Sequence, residues 1–495
     1  MADLRFIIGG CRLSWLLAMT WATVGQAATA TDPWSCRQEL TLEFATMADA
    51  AQATVRIAAL PDDKEWAFSA RWDDNLPDNQ RLHDAMIRHG LKGTFYLTGT
   101  DPHQRFGGAY ARRLLAGGCT IGGHSQTHAR LTGLAANAMF QEILSNRLER
   151  ECQTDQPVVS FAFPFGAFDD PQNPAVREAI TRALINAGFH HCVYLDLVRH
   201  NPSRPVGAIS AGWQIKVGDA DIDLETVQAQ LDRLTEKKAA YQQLSKLFFL
   251  GGRATITGAQ WDTLDELLTR LAGHDAWWYC NQNEFAAYER QRHDSRLWPA
   301  AANPTPSLTR TIILERPVPA ELGAMVALTL IIDRPVKAAR LDRGRLETRP
   351  GGDRTLVTVP FPGDQRLPER IDAIANPRNL PVPPVSAGSR EFPGLLVWLQ
   401  LVPAGDRLVL KLSNRTGGTL RDVRVTAMLP PSCRTAAIRT SFPDIPPAGT
   451  QETAFPIIQE KSGTFWRSGR AGYAAAIDFT AAGQPGRLYA TTQLE

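Results

Sequence analysis

Between residues 64 and 292 the chain alternates short apolar runs of β type with stretches whose apolar residues recur at helical spacing. The strand-like runs are Glu65–Trp72, Gly93–Thr98, Cys119–Gly122, Val158–Phe163, Phe189–Leu195, Lys246–Leu250 and Ala276–Cys280. Between them, Asp78–His89, Ala135–Glu151, Ala175–Ala187, Leu224–Ala240 and Ala259–Leu271 read as helices, with Gly90 and Gly188 as stop signals. Seven such alternations predict a parallel α/β arrangement, either a barrel or an open sheet. Near residue 297 the texture changes. Leu297-Trp298-Pro299-Ala300 leads into the linker-like Pro304-Thr305-Pro306, and short β-type runs follow at Arg310–Leu314, Val326–Ile332 and Thr355–Val359. Pro381-Val382-Pro383-Pro384 marks a second boundary, beyond which Leu395–Leu401, Arg407–Leu412 and Val423–Leu429 repeat the pattern. These runs predict two small all-β, sandwich-type domains behind an α/β head.

Composition sharpens this division. The last 195 of the 495 residues contain no histidine, so histidine chemistry is confined to the head. A net charge of +2 argues against a nucleic-acid partner. Residues 1–27 read as a signal peptide, with Arg5 and Arg12 flanking the apolar Leu13–Val24 and Gly25-Gln26-Ala27 as the cut site. The mature chain is then expected to be secreted, periplasmic or extracellular, without a membrane span. Six cysteines remain after Cys11 is removed, and their spacing selects no disulfide pairing. The expected domains are a lead-in at 28–63, the head at 64–296, a β-rich domain at 305–380 and an immunoglobulin-like sandwich at 389–495.

Three clusters in the head carry chemistry. Arg71-Trp72-Asp73-Asp74-Asn75 ends the first strand, where adjacent carboxylates are costly unless paired or bound to metal. His124-Ser125-Gln126-Thr127-His128 follows the third strand and places two imidazoles four residues apart, a metal-ligand spacing. With an aspartate from another strand end they form a His₂–carboxylate set. Phe161-Ala162-Phe163-Pro164-Phe165-Gly166 follows the fourth strand as a rigid loop able to aim a backbone N–H.

In this order and spacing the clusters resemble the polysaccharide deacetylases, the NodB-homology group of carbohydrate esterase family four. The first two motifs carry the resemblance, and the third is met only from Pro164 onward. The resemblance spans roughly residues 64–292 and implies a distorted (β/α)7 barrel acting on an acetylated polysaccharide. It implies that Asp74, His124 and His128 hold a divalent metal, usually zinc, with cobalt, manganese or nickel as alternatives. Asp73 would be the general base, and the Phe165 N–H would stabilise the oxyanion. Pro164 would line the substrate site.

Two departures stand out. The family's third-motif arginine is Ala162 here, and Arg71 is expected to take its place, because strand period two puts Ser69, Arg71 and Asp73 on one face. The family's acid histidine, in a Leu-x-His string, is replaced by glycine in Leu250-Gly251-Gly252. His191, in the pair His190-His191, is the candidate replacement acid; the alternatives are an ester substrate that needs no strong acid, or a catalytically impaired, metal-containing glycan-binding protein. Trp213, on a long loop, is the expected sugar-stacking residue among Trp66, Trp72, Trp213, Trp277 and Trp278.

Overall fold

The computed structural model describes residues 32–99, 107–195, 197, 200–201, 204–205, 213–216, 223–253, 255–300, 307–375, 395–401, 406–469 and 472–493. The expected signal segment 1–27, Pro304-Thr305-Pro306, the expected boundary at Pro381–Pro384 and the Trp213 side chain lie outside the described residues. The head is a curled, wholly parallel sheet. Its neighbours run in the order Trp213–Lys216, Leu247–Arg253, Trp66–Asp73, Gly93–Leu97, Thr120–Gly123, Ser160–Phe161 and His191–Cys192. All seven expected strands are present. Trp213 lies in an eighth strand, not on a loop, paired in parallel with the Leu247–Arg253 strand. Two strands share one edge of Trp66–Asp73: Trp277–Tyr279 pairs with its first half and Gly93–Leu97 with its second. Among the described residues the ring stays open between His191–Cys192 and Trp213–Lys216, so the sheet is a half-barrel.

Seven of the eight positions of Trp66–Asp73 are buried, as in a strand covered on both faces. Trp66 and Trp72 sit inside this core, which removes both from the set of sugar-stacking candidates. Tyr96 fits inside the curl because its neighbour is glycine: a Cβ on Gly122 would meet the Tyr96 ring at 2.3 Å.

Two β layers surround the head. Ser35–Phe44, with period-two burial, pairs with Thr309–Pro317 and Val336–Leu341, and Val55–Ile57 pairs with Leu328–Ile332. Strands before and after the α/β segment therefore build one core, which includes Leu42, Phe44, Leu314, Leu330 and Val357. The C-terminal module packs a five-stranded sheet on a three-stranded one around Leu410, Val425, Ile477 and Leu488. Its outermost strand, Arg370–Ala375, comes from the preceding β-rich stretch and pairs in parallel with Gln484–Gln493. All six cysteines from Cys36 onward are free thiols.

This module is bound to the head through the Ala136–Thr154 helix and through the Pro174–Asn186 helix, whose Arg182 meets Glu460 and whose Asn186 donates to the Leu429 carbonyl. Met428, Trp466, Ala474 and Tyr489 share an apolar cluster with Phe140, Ile143 and Leu144. Glu151, with no solvent exposure, sits at the centre of the joint. It accepts from Arg147 Nε at 2.8 Å, the Val158 N–H at 2.8 Å and the Tyr489 hydroxyl at 2.6 Å, and Arg487 Nη1 lies 3.5 Å away. Burial opposes ionisation of Glu151, but Arg147 and Arg487 outweigh it and hold the pKa low. Removing one member of a buried charge network strands its partners, at a cost of roughly 3–5 kcal/mol. Glu151→Ala is expected to lower the urea-unfolding free energy by that amount. A loss below about 1 kcal/mol would show the joint to be dispensable.

Candidate metal centre at the sheet rim

Strand register assembles the rim. Arg253 is paired with Asp73, Asp73 with Tyr96, Leu97 with Gly123, and Gly123 with Phe161. The parallel strands therefore deliver Asp73-Asp74, His124, Phe163-Pro164 and Arg253 to the same carboxyl edge, where open α/β sheets place ligands. The backbone there is strained. Asp74, Ser125, His128 and Phe165 all have positive φ, between 57° and 73°. Hydrogen bonds hold these turns: the Asp74 N–H donates to Tyr96 O at 3.1 Å, and Ser125 Oγ accepts from the Ala129 N–H at 3.1 Å. Glu142 takes both the N–H and the hydroxyl of Thr127, at 2.8 and 3.0 Å.

Asp74, His124 and His128 converge. Asp74 Oδ1 lies 3.2 Å from His124 Nε2 and 3.1 Å from His128 Nε2. Burial alone would raise the Asp74 pKa, but the two imidazoles at its carboxylate hold it well below the usual range. His124 Nδ1 lies 2.9 Å from the Ala162 carbonyl, which can only accept, so Nδ1 carries the proton. Burial opposes a charge on His124, but Asp74 and Asp73 outweigh it and raise its pKa, so Nε2 and the carboxylate oxygen share a cation, either a proton or, with the ring neutral, a metal ion. Asp74 Oδ1 is buried and accepts no well-formed hydrogen bond. Electron-rich atoms aimed at one another call for a cation. The donor set (two imidazole nitrogens and a carboxylate, with one imidazole fixed by a backbone carbonyl) fits a divalent transition metal.

The other site residues lie around this triad. Arg71 Nη2 contacts both Asp73 oxygens, at 2.9 and 3.1 Å, and its guanidinium rests against Tyr96 and Phe249. Pro164 is buried, whereas Phe165 is 64% exposed with its ring 4.7 Å from that of His128. His191 has no solvent exposure, and burial together with the nearby Arg71 charge pulls its pKa down to about 4. It packs edge-on against Phe285, closed off from solvent. Gly252 is followed by a residue that sequence reasoning left out of the site. Arg253 Nε lies 2.7 Å from Asp74 Oδ2. Only the pairing of Leu247–Arg253 with Trp66–Asp73 reveals this contact, across 179 residues of chain.

Residues 64–183 match the family model for polysaccharide deacetylases. The resemblance carried by the motifs thus holds at the level of the family. The matched segment contains Asp73, Asp74, His124, His128 and Phe165; Arg253 lies beyond it. Solved structures similar to the chain include a putative polysaccharide deacetylase from Mycobacterium smegmatis, at 15% identity, covering 48% of this chain and 93% of that one, with a TM-score of 0.37. Another is a family 4 carbohydrate esterase from Streptomyces lividans in complex with acetate, at 14% identity over 44% and 92%, TM-score 0.30. A third is a pseudoenzyme of the same esterase family from Bacillus anthracis, at 15% identity over 41% and 60%, TM-score 0.28. No curated protein sequence matches the chain.

His191 gives the α/β head a pH-dependent stability. Its folded pKa, about 4, lies below the ordinary 6.5, so the unfolded chain takes up the proton first as the pH falls. The stabilisation is complete above pH 6.5 and is lost between about 6.5 and 4. A drop of up to about 3 kcal/mol is expected over that window, and less of it in His191→Gln. Urea midpoints at pH 7 and 4.5 check this; equal slopes in both proteins would contradict it.

Proposed function

We propose that the protein is an exported, divalent-metal-dependent hydrolase that removes N- or O-linked acetyl groups from a polysaccharide. The observation that carries the reading is the convergence of Asp74, His124 and His128 beside a second, separately held carboxylate, Asp73. A bound divalent ion, most readily zinc, would lower the pKa of water from about 15.7 toward 7 and polarise a carbonyl. Asp73 would take the proton of the attacking water, and Arg71 would fix the orientation of that carboxylate. The Phe165 N–H would donate to the oxyanion that develops on the acetyl carbonyl. Pro164 and the exposed Phe165 ring would bound the acyl group.

With Gly252 at the place of the family's acid, and His191 buried, an acetyl ester fits better than an amide. Its alkoxide can take a proton from solvent, whereas an amine leaving group needs a donor. Export rests on residues 1–27, and no helix among the described residues is long and apolar enough to cross a membrane. One observation favours a second reading, a catalytically impaired glycan-binding protein: the side chain next to Gly252, Arg253, is tied to Asp74.

Acetate release by zinc- or cobalt-loaded protein, from acetylated xylan and from acetylated amino-sugar oligomers, separates these readings. Turnover on the ester substrate is expected. Asp73→Asn should lower it by about 10²–10⁴-fold and His124→Ala should abolish it. Arg71→Ala should displace the pH–rate profile. Glycan binding without acetate from either substrate would favour the second reading.

A further inference from the structure

We infer that Arg253 is a built-in competitor for the Asp74 carboxylate, a positioning residue that sets how tightly the centre holds its metal. The inference rests on the metal reading above. Arg253 ends the Leu247–Arg253 strand in register with Asp73, and register partners in a parallel sheet face the same way. Its guanidinium thus reaches the rim on the side of the two carboxylates. There it contacts Asp74 Oδ2 at 2.7 Å, while Oδ1 faces His124 and His128. One carboxylate is shared between a fixed cation and the ligand set. A divalent ion on Asp74 would lie on the same group as the guanidinium, well inside the Debye length of about 8 Å, where salt screens their repulsion little. The Arg253 side chain is 53% exposed, so it can leave the carboxylate for water without unpacking the sheet. Metal uptake therefore requires the guanidinium to withdraw, and its return favours release.

The test is zinc affinity, measured by competition with a chromophoric chelator on the full mature chain and its variants. Arg253→Ala is expected to bind zinc about fivefold more tightly, a modest change because the displaced guanidinium is half-exposed. Arg253→Lys, which keeps a cation at the rim, should remain close to the parent protein. His124→Ala should lose binding. Equal or weaker binding in Arg253→Ala would overturn the inference, as would an Arg253→Lys protein that behaves like the alanine variant. If neither the parent nor Arg253→Ala binds zinc while both keep their urea midpoints, the metal reading itself falls and the inference with it.

Discussion

The carboxylate of Asp74 is the constraint around which the rim is organised. It sits at the end of a buried strand, where an unpaired charge would cost several kcal/mol. Two imidazoles meet one of its oxygens and a guanidinium meets the other. Bringing them together requires left-handed backbone at Asp74, Ser125 and His128, and each such turn is held by its own hydrogen bonds or by Glu142. Asp73, one residue earlier, is anchored separately by Arg71. Neighbouring carboxylates thereby acquire different surroundings: Asp74 lies among two imidazoles and a guanidinium, Asp73 against the Arg71 guanidinium.

The Ala136–Thr154 helix connects the histidine loop to the C-terminal module. From Ala136–Thr154, Glu142 holds Thr127, Asn146 accepts from the His124 N–H at 2.9 Å, and Glu149 accepts from Gln126 at 2.7 Å. The same helix carries Glu151, buried against Arg487 and Tyr489 of the C-terminal module. The module is thus part of the scaffold that fixes the histidine loop.

The sequence displayed what is local. Strand–helix alternation located all seven expected strands, and the Asp-Asp and His-x-x-x-His strings lie at strand ends, where function concentrates. Long-range pairing was not legible. Nothing in Ser35–Phe44 says that it joins Thr309–Pro317, and a four-residue strand at Trp213–Lys216 is too short to show periodicity. Arg253 was missed for the same reason: its role follows from parallel register, which no local pattern encodes. His191 looked chemically available, because adjacent histidines do not disclose which way a strand faces. The Arg71–Asp73 contact was the reverse case, since period-two spacing alone puts both side chains on one face.

X-ray absorption at the zinc edge of metal-loaded protein reads the ligands of the rim directly. Two imidazole nitrogens at about 2.0–2.1 Å are expected, with oxygen filling the remaining positions, and the imidazole signal is expected to vanish in a His124→Ala, His128→Ala double variant. Sulfur in the coordination shell, or an imidazole signal that survives the double substitution, would contradict this ligand set.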